Sequence, residues 1–166
     1  MKNDFYIAAD GVDEIEKDPT AVLPYGLDVY AWLRGADRYW TPRVYVHPGQ
    51  TYTPQQAALN GHRYRCTVGG RTGSVPPTWP TSSGGTVTDG GVTWTEIGSE
   101  DTLTTADWTA DTGITVGIES IDSTARVAQA ILSGGVAGSS YSVHCDLVST
   151  QGKQDRRSFR LRVVGR

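Results

Sequence analysis

The sequence predicts an all-β fold: an immunoglobulin/fibronectin-III-like β-sandwich with a small β module inserted. Three observations carry that reading. The 166 residues include 20 Gly, 8 Pro, 5 Trp and 8 Tyr with a single Met. Thr, Val, Tyr and Trp suit a pleated, half-buried surface, and Gly and Pro punctuate turns. Alternating apolar and polar runs of roughly five to nine residues recur along 100–166. Sustained stripes of Leu, Ala, Glu and Lys at helical spacing are missing.

Residues 1–18 read as an N-terminal arm. Phe5-Tyr6-Ile7 suits a short strand, and Asp10, Asp13, Glu14, Glu16 and Asp18 follow with only Lys17 opposing them. The arm is either a solvated, mobile terminus or an acidic segment that docks on a neighbour, since Phe5 and Tyr6 are unusual rings to leave in water. In the next segment Leu27, Val29, Ala31 and Leu33 alternate with Asp28, Tyr30 and Trp32, which predicts a strand within 21–33.

Residues 39–99 change character and hold three of the five Trp. Tyr64, Cys66 and Val68 alternate with Arg63, Arg65 and Thr67 in a strand over 62–68. The prolines of Val75-Pro76-Pro77-Thr78-Trp79-Pro80 exclude a central strand and predict an extended segment lying across a sheet. Asp89-Gly90-Gly91 between two β runs signals a hairpin. The segment 39–99 is therefore a small β module stapled by aromatic rings. It separates 19–38 from 100–166, which together supply one discontinuous sandwich. In 100–166, Ile114, Val116 and Ile118 are expected on one strand face. Tyr141, Val143, Cys145 and Leu147 share another, as do Phe159, Leu161 and Val163.

The net charge of −3 argues against direct nucleic-acid binding by bulk charge. Mean hydropathy is −0.37, and no apolar run approaches the roughly 18 residues of a membrane helix. The N-terminus shows no secretory pattern, so a soluble protein made in a cytoplasm is expected. Cys66 and Cys145 stand far apart. Buried free thiols are the default, with one long-range disulfide as the alternative.

No nucleophile elbow, phosphate loop or HExxH motif occurs. His47, His62 and His144 lie in separate elements. Asp107, Asp111 and Asp122 fall at strand ends and turns, where Asp serves the backbone. Neither an enzyme, nor a cofactor, nor a metal site is expected.

Two surfaces remain as candidates. Lys153, Arg156, Arg157, Arg160, Arg162 and Arg166 face only Asp155 within fourteen residues. Such a stripe is either a solvated sheet edge or an inter-subunit contact formed by Arg157, Arg160 and Arg162 with Phe5, Tyr6, Asp13 and Glu14 of an adjacent copy. In the aromatic module most rings should form the core. Tyr52 and Trp79 are the candidates for an exposed ring that meets a glycan or a partner.

The run Asp18-Pro19-Thr20-Ala21-Val22-Leu23-Pro24-Tyr25-Gly26-Leu27-Asp28 with Trp32-Leu33 resembles the opening of a family of tailed-bacteriophage virion proteins. So do Trp108 with Ile114-Thr115-Val116, the turn Ser133-Gly134-Gly135-Val136-Ala137-Gly138-Ser139-Ser140-Tyr141, and the return strand Arg157-Ser158-Phe159-Arg160-Leu161-Arg162-Val163-Val164. The resemblance implies an immunoglobulin-like adaptor at the head–tail junction or fibre–tail joint of a virion, assembled in the bacterial cytoplasm. Its implied partners are other virion proteins, among them portal, nozzle or fibre, and copies of itself in a homo-oligomeric ring. Tyr64-Arg65-Cys66-Thr67, Trp79-Pro80 and Val87 to Glu96 resemble a tail-fibre repeat and, distantly, small chitin-binding modules, which implies a glycan-binding module as the alternative function.

Overall fold

The computed structural model describes residues 6–7 and 13–165. In chain order the elements are β1 (Tyr6–Ile7), β2 (Asp13–Lys17), β3 (Leu23–Asp28), α1 (Tyr30–Arg34), β4 (Arg38–Tyr39), β5 (Tyr45–Val46), β6 (Thr51–Thr53) and β7 (His62–Val68). They continue with β8 (Gly70–Arg71), β9 (Thr86–Asp89), β10 (Val92–Ser99), β11 (Leu103–Ala110), β12 (Ile114–Ile121), β13 (Val127–Gly134), β14 (Ser140–Ser149) and β15 (Gln154–Val163). The chain divides into two compact units. One comprises 1–33 and 101–166, and the other 34–100.

The first unit is an all-β sandwich. One sheet runs β1-β2-β15-β14-β11 and the other β12-β13-β3. Alternation places Val143, Cys145 and Leu147 of β14 and Phe159, Leu161 and Val163 of β15 inside, while Ser142, His144 and Asp146 turn outward. The inner faces meet where Tyr25 stacks on Phe159 with ring centroids 6.2 Å apart and Trp108 meets the same ring edge-on at 6.3 Å. Ala128, Ala130 and Leu132 of β13 complete this core.

Three local expectations are corrected. Val68 shares the alternation of the buried Tyr64 and Cys66, yet it is 54% exposed at the end of β7, where the register with β10 shifts. The apolar alternation of 21–33 is a strand only to Asp28. The carboxylate of Asp28 then accepts the Tyr30 N–H at 2.9 Å and Leu33 N–H bonds to Val29 C=O at 3.0 Å, which starts α1. Val29 and Leu33 are buried four residues apart while Ala31 is exposed, the spacing of a helix. Likewise Ile118 is 73% exposed. The register between β12 and β13 shifts after Val116, so Gly117 and Ile118 oppose one residue and the bulge turns Ile118 outward.

The second unit, 34–100, holds the sheet β4-β6-β7-β10-β9 and the two-stranded ribbon β5-β8. Its core is Trp40, Val46, Tyr52, Tyr64, Cys66, Val92 and Trp94, with Trp79 and Val87 packed against it. The turn 89–91 joins β9 to β10 as Asp-Gly predicts. Gly90 sits at φ +62°, and a Cβ there would lie 2.5 Å from Arg71 C=O. The proline segment forms no strand and brings Trp79 to 4.3 Å from the Tyr64 ring. Both cysteines are free and buried.

Candidate functional site

The acidic arm and the arginine stripe meet within one chain. Strand β2 pairs in parallel with β15, setting Glu14 beside Arg160 and Glu16 beside Arg162. Their charged ends lie 3.6 and 3.8 Å apart. Arg157 pairs with Asp155 at 2.8 Å, and Arg156 grips Asp146 through two hydrogen bonds of 2.6 and 2.7 Å. That contact keeps the Asp146 carboxyl below its usual range. Phe5 lies outside the described residues, as does Arg166; Tyr6 pairs through its backbone with Glu14.

Asp13 and Arg157 share a feature that sequence reasoning missed. They line a groove of about 440 Å³ in the first unit, together with Asp28, Val29, Trp32 and Phe159. The groove arises because α1 interrupts the predicted strand, and no periodicity signalled that break.

The carboxylates weighed as catalytic groups serve turns and ladders. Asp111 accepts the Ser142 N–H at 2.7 Å. Burial acts to raise Asp122, but hydrogen bonds from the Thr124 hydroxyl and from the N–H groups of Arg126, Val127 and Thr124 hold it down at about 2. Asp107 pairs with Asp146 across β11 and β14. Burial, reinforced by Asp146, Glu119 and Asp107, pushes the Cys145 thiol up to about 12, so it presents no thiolate at neutral pH. Among the described residues, no group of three or more His, Cys, Asp or Glu is placed to hold a metal.

In the second unit, Tyr52 is 4% exposed and meets Trp94 edge-on at 5.0 Å. Its ring offers no face to a ligand. Trp79 is half-buried between Tyr64 and Trp94. The exposed ring is Tyr45, at 66%, whose neighbour Val46 is fully buried. Arg71 lies opposite Tyr45 across the β5–β8 ribbon, and the His47 ring stands 5.0 Å away. Arg71 Nε donates to Arg43 C=O at 2.9 Å, which holds the guanidinium by the ribbon.

The charges divide between the units. Unit 34–100 has six Arg against four acids, a net +2, and the remainder of the chain has nine Lys and Arg against fourteen acids, a net −5. All four acids of 34–100 are buried: Asp37, Asp89, Glu96 and Glu100. Asp89 accepts the indole N–H groups of Trp40 at 2.6 Å and Trp94 at 3.1 Å, and the Gly73 N–H at 2.7 Å. Asp37 takes the Arg63 guanidinium and the Thr51 hydroxyl. The hydrogen bond from His62, at 2.9 Å, lowers the Glu96 carboxyl against the opposing effect of burial. Among the described residues of this unit, the charge facing water is arginine alone: Arg38, Arg43, Arg65 and Arg71 are exposed.

Residues 83–162 match the family model of the podophage GP4 fiber-tail adaptor protein gp77. The match covers just under half of the chain, from β9 nearly to the end of β15. It includes the 133–141 turn and most of the 157–164 strand that carried the resemblance; the opening run 18–28 lies outside it. No curated protein matches the chain. The family match supports a structural role as a phage fibre–tail adaptor, associated with the virion and with other virion proteins.

Proposed function

We propose that the protein is an oligomeric adaptor at the neck or tail of a virion that attaches tail fibres or neighbouring tail proteins. The observation that supports this reading is the fibre–tail adaptor match over 83–162. The matched residues build β11 to β14 and nearly all of β15, the ladders that frame the sandwich. A protein that stays in a particle works through broad, complementary surfaces rather than an enclosed reaction site. The described residues offer candidates for such surfaces in the groove of the first unit and the exposed arginines of the second. In this reading the protein is not an enzyme, and its sandwich is of immunoglobulin type.

Mass photometry of the purified protein, alone and mixed with disrupted virion tails, tests it. The expected result is a discrete oligomer together with capture by a tail, fibre or portal component. A monomer that ignores tails overturns the proposal.

A further inference from the structure

The groove and the Tyr45 ribbon are opposites in shape and charge. The ribbon projects a tyrosine that is 66% exposed, opposite Arg71 and beside the His47 ring, with the exposed Arg43 two residues before it, from a unit whose acids are all buried. The groove is a concavity of about 440 Å³ with the half-buried Trp32 at its side, the buried Val29 and Phe159 beneath it, and the exposed Asp13 and Asp28 on its rim. Among its described lining residues the cation is Arg157, already countered by Asp155 at 2.8 Å, so the charge these residues present is acidic.

We infer that two copies of this chain join head to tail, with the Tyr45 ribbon of one seated in the groove of the next. The inference deepens the oligomeric adaptor reading and rests on it. Tyr45 supplies a rigid ring to pack against Trp32, and Arg71 and Arg43 meet Asp13 and Asp28. Tyr and Arg are the side chains that dominate protein interfaces when they enter a desolvated pocket. Opposite charge fixes the orientation and suppresses groove-to-groove and ribbon-to-ribbon encounters.

The partner is a second copy because both halves of the match lie on the same chain, +2 against −5. The arm and the stripe are less suited to that contact: Glu14 and Glu16 already face Arg160 and Arg162 in their own sheet. A contact between two different patches is heterologous. It closes a ring or extends a chain according to the rotation between copies.

Two surface variants of the full-length protein test this. Tyr45→Ser removes the knob. Ala31→Arg places bulk and positive charge at an exposed helical position lining the groove, and Arg is a good helix former. Circular dichroism verifies that each is folded. Sedimentation velocity should show wild type assembling and each variant remaining monomeric, with self-association weakened by about thirtyfold or more.

Mixing the two variants should yield a discrete dimer, because each retains the surface the other lacks. Raising salt from low to high ionic strength should weaken wild-type assembly. Assembly unchanged in both variants overturns the inference, as does a mixture that stays monomeric. A monomeric wild type that is still captured by virion tails overturns the head-to-tail contact and leaves the adaptor reading standing. A monomer that ignores tails overturns both.

Discussion

The two units solve the problem of a small β core in different ways. The sandwich of 1–33 and 101–166 is filled by aliphatic side chains from two facing sheets, among them Leu132, Val143, Leu147 and Leu161. Several of its acids stay at the surface, paired with arginine or tied to turns. The unit 34–100 has a core dominated by Trp and Tyr and buries every acid, one of which, Asp89, accepts from two of the core's indole N–H groups. A short segment buries too little aliphatic surface to stand alone, so large rings with polar edges do the filling and the Asp89 carboxylate satisfies two of those edges. One consequence is the arginine-only surface charge of this unit.

The sharpest way to break this contrast is Asp89→Ala. It orphans two indole N–H groups and the Gly73 N–H. Each buried donor left unpaired costs roughly 1–3 kcal/mol, enough together to unfold the aromatic unit. Tryptophan fluorescence should shift red and limited proteolysis should cut within 34–100 while the sandwich survives. A variant with wild-type fluorescence and protease resistance would remove the buried-carboxylate account.

A smaller effect is expected at Asp122. Its carboxyl sits at about 2 against an ordinary 3.8, so ionisation favours the folded state. That stabilisation is complete above the ordinary value and is lost as pH falls towards 2. Asp122→Asn should flatten the acid limb of the sandwich's stability over that window and leave stability at pH 8 to 9 parallel to wild type. Denaturant titrations followed by circular dichroism read this, and an unchanged acid limb would show that the turn is not the titrating element.

The smallest effect belongs to the exposed Arg156–Asp146 pair. Arg156→Ala should leave the melting temperature unmoved in calorimetry, as surface ion pairs commonly do. A clear drop would mean that the sandwich relies on surface charge as the aromatic unit relies on buried charge.

Much of this was legible from alternation and turn chemistry. The strand 62–68, apart from the exposed Val68, the hairpin around Asp89-Gly90 and the inward sets of β14 and β15 follow from period two and Asp-Gly. What escaped was tertiary. Asp89 read as a turn residue, and nothing local shows that the same carboxylate reaches Trp40, forty-nine residues away. The apolar run 27–33 fits a strand and a short helix equally well, so the groove beside α1 was invisible. The proline-flanked loop around Trp79 suggests an exposed ring, but the loop folds back and packs Trp79 on Tyr64 and Trp94, while Tyr52 is buried against Trp94. Tyr45 was the exposed one, because Val46 beside it claims the core.

The parallel pairing of β2 with β15 has a mechanical consequence. Force entering at Asp13 and leaving at Val163 pulls these neighbours in opposite directions along their length. The hydrogen bonds between them, from Glu14 against Arg160 to Lys17 against Val163, are then loaded in shear and must yield together rather than unzip one at a time. Strands loaded in shear resist tension better than strands peeled apart, so along that direction β2 and β15 form the stiffer clamp.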